Sequence, residues 1–503
     1  MNSGHPFRTA VVHYHWRRGG VTRVIETACR ALTAAGLPVV VLCGEKPETP
    51  FPEDAGRLCV IPGLGYHAEA CCERADIGAL QQTVIAAARE ALDGVPDVWH
   101  FHNATLGKNP AVSCLLHALA RDGAAVLSQI HDFAEDQRPG NWHVLLRTVG
   151  AGSADALDHC LYPVAPQVRL AVLNERDRRI LLQAGAPARS LALLPNPVTA
   201  PAEPMANEAD EMPDAANSIR HWLYPTRAIR RKNLGEFILW AAVAAVSGRD
   251  RDRFATTLVP TNPRDVTSYR AWKRIAESLR LPIRFGAGLK GEAAFRRLLG
   301  EATALTTTSV AEGFGLAFAE PWLLGKPVAG RRLPEITTDM EETGVDLSML
   351  YDRLELPLEW IGRDRLQRCL ADGLAHTFQS YDVTAPQRAR ERSLAAIECD
   401  GRVDFGGLNE SLQQEVVRRV AGSPAAADQL LPAFLETASV HRSLIARNRR
   451  LVSEHYSPAA YGERLKRLYA DLLRERGDLS YVPATAVLQQ FLQPERFRLL
   501  RME

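Results

Sequence analysis

Residues 222–246 read WLYPTRAIRRKNLGEFILWAAVAAV. The stretch opens on a short apolar run, Trp222 to Tyr224, and closes on a longer one, Leu234 to Val246. A short run of strand length, a turn and an apolar run of helical length make half of a β–α–β unit. Downstream the beat repeats. Strands are expected at Ala255–Val259, Ile283–Phe285, Ala302–Thr306 and Val328–Ala329, with helices near Tyr269–Leu279, Ala293–Leu299 and Leu316–Leu324. Upstream, strands are expected at Ala10–Val12, Val39–Leu42, Val98–Phe101, Ala124–Ile130, Val168–Leu173 and Leu191–Leu194. Between them, Val21, Val24, Ile25, Ala28 and Leu32 repeat at one helical face, and further helices fall near Ile77–Leu92, Ala111–Leu119 and Arg176–Gln183. Continuous apolar strands alternating with helices predict parallel sheets covered on both faces. The fold class is α/β, with two doubly wound units of similar size.

Thr199 to Asn217 is rich in Ala, Pro, Glu and Asp and lacks apolar periodicity, so it separates the units as a linker or surface loop. The expected organisation is a first domain over 1–200, a linker over 201–217 and a second domain over 218–450. A largely helical insertion without a strong strand is expected at about 337–439, and a C-terminal helical segment over 451–503.

The length of 503 residues suggests about three domains. Lys+Arg total 60 against 59 Asp+Glu, a net charge of +1, which argues against a general nucleic-acid partner. Only seven of the basic residues are Lys. The nine cysteines form no C-x-x-C pair and read as small buried side chains of a reducing compartment. No signal-peptide pattern and no apolar stretch of membrane-spanning length occurs, so a cytoplasmic protein without an integral membrane segment is expected.

Ligands of doubly wound sheets sit beyond the carboxyl ends of the strands. Four loops there carry chemistry. His13-Tyr14-His15-Trp16-Arg17-Arg18-Gly19-Gly20 places two glycines before a helix, where backbone N–H groups and the helix dipole favour an anion such as a diphosphate. The alternative is a plain loop needing positive φ. It is not G-x-G-x-x-G, so a nicotinamide dinucleotide has poor support. Arg227, Arg230, Arg231 and Lys232 suit phosphate oxygens, or form a solvated basic turn. Glu312-Gly313-Phe314-Gly315-Leu316-Ala317-Phe318-Ala319-Glu320 sets two carboxylates eight apart across glycines, at a strand-to-helix junction. Carboxylates there suit sugar hydroxyls; Pro321 implies a kinked or late-starting helix. His131-Asp132 follows a strand, with His100 and His102 as weaker companions. His13 and His15 lack a third ligand at metal-binding spacing, so no metal is expected.

Together these loops resemble the retaining GT-B glycosyltransferases of family 4. The likeness runs over roughly Val11 to Pro334 plus about Arg449 to Leu473. It rests on the E-x7-E motif Glu312–Glu320, Gly19-Gly20-Val21, the Arg227–Lys232 pair, His131-Asp132 and Leu194-Pro195-Asn196-Pro197-Val198. The resemblance implies two Rossmann-like domains facing a central cleft, and transfer of a hexose from a UDP-, GDP- or ADP-sugar with retention. It implies catalytic roles for His131, Glu312, Arg227 and Lys232. It implies donor binding by Gly19, Gly20, Arg227, Lys232, Glu312, Phe314, Gly315, Leu316 and Glu320. Arg17, Arg18, His102, Asp132 and Arg331 are candidates for the acceptor. No cofactor is implied. The expected acceptor is soluble and polar: a sugar, a sugar phosphate or a small organic acid. A lipid acceptor at a membrane surface, and an epimerase or binding protein on the same fold, are the alternatives. A homo-oligomer is compatible with the sequence. The chain departs from the family at Gly330-Arg331-Arg332-Leu333-Pro334-Glu335, where relatives carry paired glycines, and in its longer region after Thr337.

Overall fold

The computed structural model describes residues 7–48, 50–67, 74–199, 219–430 and 442–502. The expected linker, Cys71 and Cys72, and the end of the expected insertion from 431 lie outside the described residues. The chain divides into two compact units, Met1–Pro197 with Tyr456–Gln493, and Val198–His455 with Pro494–Glu503. The C-terminal piece expected as one segment is therefore shared out, its boundaries falling at Tyr456 and Pro494.

In the first unit the strands up to Pro197 are β1 (Thr9–His13), β2 (Val39–Cys43), β3 (Arg57–Val60), β4 (Val98–His102), β5 (Ala125–Ile130), β6 (Pro163–Val164), β7 (Val168–Val172) and β8 (Leu191–Leu193), and Ser480–Tyr481 pairs with β6. Seven of them form one parallel sheet in the order β3-β2-β1-β4-β5-β7-β8. Side chains alternate across it. Ala10 and Val12 enter a core with Val84, Ala88 and Leu92 of the helix Arg74–Leu92, and with Val112, Leu115 and Leu119 of the helix Pro110–Arg121. Val11 enters the opposite core, with Val24, Ile25 and Leu32 of the helix Gly20–Ala34 and Tyr461, Leu465 and Tyr469 of the helix Pro458–Leu472. Burial on both faces is why these strands read as unbroken apolar runs. The exception is β3, an edge strand of four residues without a fully buried position, too short to stand out in the sequence.

In the second unit, β9 (Arg220–Arg227), β10 (Asp252–Leu258), β11 (Ile283–Arg284), β12 (Ala304–Thr307) and β13 (Val328–Gly330) form a parallel sheet ordered β11-β10-β9-β12-β13. Its central helix, Leu234–Val246, is fully buried from Phe237 to Ala244. At about 1.5–3 kcal/mol for each large apolar side chain, this helix is a principal source of the unit's stability.

The region after Thr337 corrects one expectation. It is mostly helical, with Arg363–Ser380, Ala389–Ile397 and Glu410–Ala421. It also holds an antiparallel sheet of β14 (Glu355–Pro357), β15 (Glu398–Cys399) and β16 (Arg402–Asp404), ordered β14-β16-β15. Strands of two or three residues are too short for a period-two pattern to show.

Candidate functional site

In the second sheet the strand order reverses between β9 and β12, because the chain builds outward through β10 and β11 before returning to β12 and β13. The crevice beyond the carboxyl ends of two such strands is the expected ligand position of a doubly wound sheet. The loops leaving β9 and β12 carry the basic turn and the Glu312–Glu320 motif.

The two loops are tied together through the backbone. Lys232 and Asn233 turn the chain into the helix Leu234–Val246, with Asn233 in the left-handed region at φ 50°. The Thr308 hydroxyl donates to the carbonyls of Lys232 (3.2 Å) and Asn233 (3.0 Å), and the Tyr224 hydroxyl donates to Lys232 O (2.7 Å). Val310 N donates to Arg231 O at 2.9 Å. With the backbone fixed, Lys232 Nζ donates to Glu312 Oε1, and Arg231 lies 3.5 Å from Oε2. Burial disfavours a charged Glu312, which is 7% exposed, but Lys232 and then Arg231 outweigh it and hold the carboxyl below its ordinary range. Arg227 ends β9 exposed, with no ion pair among the described residues.

The loop after β12 ends at Gly315, with φ 89°. A Cβ there would stand 2.8 Å from Ile336 Cγ2 and 2.9 Å from Phe318 Cδ2, so both conformation and space require glycine. The helix Leu316–Leu323 starts immediately afterwards without a side-chain cap, and Phe318 N donates to Gly315 O at 2.9 Å; the helix dipole favours an anion at this end. Phe314 is buried, and Leu316 and Glu320 are half-buried. Pro321 lies inside this eight-residue helix, which neither starts late nor stops at the proline.

Arg331, a candidate for the acceptor, is buried in a charge cluster. It is 3% exposed, and its guanidinium donates to Glu236 (2.7 and 3.0 Å), to Asp404 (2.7 and 3.0 Å) and to Asp352 O (3.0 Å). Two buried carboxylates take up its charge, and the Tyr351 hydroxyl donates to Glu236 at 2.8 Å. Arg332 is likewise held, by Asp352 and Glu341. The signal for this cluster in the sequence is Glu236 itself, the single charge in an otherwise apolar helix.

The first sheet has its own reversal, between β1 and β4. Those strands end on His13 and His102, and His131 follows neighbouring β5. His102 Nδ1 and His131 Nε2 are 2.9 Å apart, with stacked rings. Asn103, at φ 57°, accepts the N–H groups of His131 (2.7 Å) and Asp132 (3.1 Å) on its Oδ1, and the Tyr14 hydroxyl donates to its carbonyl (2.7 Å). Tyr14 and Asn103 thus set the His131 loop, which sequence alone does not indicate. Burial pushes His131 down to about 4 despite Asp132, so its ring is neutral at pH 7. His131 Nδ1 and His102 Nε2 are buried without a partner, atoms that a bound hydroxyl would satisfy.

Asp132 is paired with Arg138, and Arg17 with Glu45. Arg18, Gly19 and Gly20 are exposed. The positive-φ alternative does not hold: Gly19 is extended at φ −177° and Gly20 begins the helix. The N-terminus of that fifteen-residue helix has no side-chain cap, and a Cβ at Gly20 would meet nothing within 4 Å. Among the described residues, no group of three or more His, Cys, Asp and Glu side chains is arranged to hold a metal ion. No described helix is long and apolar enough to cross a membrane.

No family model matches the chain. A mannosylglucosyl-3-phosphoglycerate synthase from Petrotoga mobilis is 24% identical over 352 residues, covering 65% of each chain. The chain therefore spans slightly under two thirds of that relative's length. A sucrose-phosphate synthase from Thermosynechococcus elongatus aligns over 93% of this chain and 99% of its own, with a TM-score of 0.52 and 14% identity. A glycosyltransferase from Rickettsia africae aligns over the same shares, with a TM-score of 0.53 and 12% identity. The fold is GT-B. At these identities the likeness speaks for architecture, and the chemistry rests on the residues of the two GT-B units.

Proposed function

We propose that the protein is a glycosyltransferase that moves a hexose from a nucleoside-diphosphate sugar to a small polar acceptor, with retention at the anomeric carbon. The observation that carries this reading is the β9–β12 crevice. There an exposed Arg227, a Lys232 held by Glu312, and the uncapped N-terminus of Leu316–Leu323 stand on adjoining strand ends.

A nucleoside diphosphate leaving group gathers negative charge as the sugar–oxygen bond breaks. Cations and N–H dipoles fixed in advance stabilise that charge without reorganising. In this mechanism Arg227 and Lys232 hold the diphosphate, and the backbone from Phe314 to Leu316 lines the phosphate and sugar pocket. Glu320 accepts from the ribose hydroxyls, and Glu312 aims Lys232. Gly19 and Gly20 leave the N-terminus of the first unit's helix Gly20–Ala34 open to a phosphate. The neutral His131 offers its unpartnered Nδ1 to a sugar hydroxyl. These roles need no metal or cofactor, and the enzyme works in the cytoplasm. The Petrotoga relative's name supports an acceptor built on a phosphorylated organic acid.

A thermal-shift panel of UDP, GDP and ADP tests the donor site. A ligand that binds only the folded form raises Tm by mass action. One diphosphate is expected to stabilise the wild type, with Lys232→Ala losing most of that shift. Equal shifts in both proteins remove Lys232 from the donor site.

A further inference from the structure

A second group of charges lies in the first unit, around Arg17, with Tyr66 and Lys108 not given a role above. Tyr66 is 44% exposed, and two cations sit over its ring: Arg17 Cζ at 5.7 Å and Lys108 Nζ at 5.9 Å from the centroid. His15 Nε2 lies 3.1 Å from the Tyr66 hydroxyl.

The loop carrying Tyr66 is fixed from three directions. Asn109, itself buried, donates from Nδ2 to Gly63 O (2.9 Å) and Gly65 O (2.6 Å), and its Oδ1 caps the helix Pro110–Arg121 at Ala111 N. His67 N donates to Lys108 O at 3.0 Å. Gly44, just past β2, packs so tightly that a Cβ there would come within 1.7 Å of Gly65 N. The ring and its cations therefore stand in a prepared arrangement on the loops that follow β1, β3 and β4.

The charges are incompletely balanced. Glu45 neutralises Arg17, with Glu48 at 4.0 Å, and Asp132 is taken by Arg138. Lys108, half-buried, and Arg18, exposed, have no ion pair among the described residues. Burial and then Arg17 hold His15 below its ordinary pKa. A half-buried ammonium on an aromatic face, with a phenol and an imidazole beside it, is completed by an anion with several acceptor oxygens.

We infer that Tyr66 and Lys108, with Arg17, form the subsite that holds the phosphate or carboxylate of an anionic acceptor. The inference rests on the transferase reading above and gives its acceptor a charge. It is independent of Arg331, whose own charge is spent on Glu236 and Asp404.

Calorimetric titration of the full chain at about 0.15 M salt, where exposed charges more than ~8 Å apart are largely screened, tests it. The probes are 3-phosphoglycerate, glycerol 3-phosphate, glycerate and glycerol, with the stabilising nucleoside diphosphate titrated separately. Wild type is expected to bind 3-phosphoglycerate and not glycerol; the two single-anion probes tell whether phosphate or carboxylate is held. Lys108→Ala is expected to weaken 3-phosphoglycerate about 10-fold, the scale of one charge-assisted hydrogen bond, and Lys108→Arg to restore most of it. Nucleoside diphosphate affinity stays unchanged in both. Wild-type affinity for 3-phosphoglycerate in Lys108→Ala, or equal binding of glycerol, overturns the subsite and leaves the transferase reading standing. Failure of wild type to bind any nucleoside diphosphate overturns both.

Discussion

Residue chemistry concentrates on groups whose charge is set by their surroundings. Burial pushes His13 and His100 down to about 3 and His131 to about 4. In the unfolded chain such rings titrate near 6.5. The unfolded state therefore binds more protons as pH falls below about 6.5, and stability drops with it until the folded values are reached. Glu135 acts in the opposite sense. Burial raises it to about 8 even though the Tyr162 hydroxyl donates to it, so its contribution is full below the unfolded carboxylate value and is lost as pH rises toward 8. Three imidazoles outweigh one carboxyl. Melting curves are expected to show a lower Tm at pH 5 than at pH 7, with a shallower loss in His131→Asn. An equal or higher Tm at pH 5 contradicts the neutral, buried state of these rings.

At the scale of elements, what was legible depended on sequence distance. The Glu312–Glu320 motif and the basic turn could be read because each is local. Glycine at Gly315 answers to a positive φ, and the cations cluster within six residues. Tyr66, Lys108 and Asn103 carry no such local mark, because their roles come from loops brought together from separate strands. β14, β15 and β16 escaped because each spans at most three residues. The pairing of Arg331 is not legible locally, since its partners, Glu236 and Asp404, are 95 and 73 positions away. Those contacts fasten β16 and the segment around Tyr351 to the helix Leu234–Val246. Removing one member of a buried charge cluster leaves the others unpaired, at a cost of about 3–5 kcal/mol. Arg331→Ala is expected to lower unfolding stability by that amount in urea titration. A loss below ~1 kcal/mol, the scale of an exposed pair, contradicts the structural role.

At the scale of the molecule, both units repeat one logic: a doubly wound parallel sheet whose reversal point collects the polar loops. The sequence rhythm alone was enough to expect two such units, because strands buried on both faces and amphipathic helices leave strong periodic signals. The net charge of +1 conceals an uneven distribution, with cations that have no ion pair among the described residues at Arg227 in one unit and at Arg18 and Lys108 in the other. Both sets suit small anions: a diphosphate for the second unit and an acidic acceptor for the first. The central claim is that the second unit's crevice carries a nucleotide-sugar donor whose leaving group is stabilised by Lys232. The most direct measurement is release of nucleoside diphosphate from UDP-, GDP- and ADP-hexoses, with and without phosphorylated organic-acid acceptors, by wild type and Lys232→Ala. The account predicts acceptor-dependent release from one donor class and a rate about 10²–10³ lower in the variant, the usual cost of losing one preorganised charge-stabilising group. Release at equal rates by the two proteins, or none from any donor with folded wild type that fails to bind nucleoside diphosphates, contradicts it.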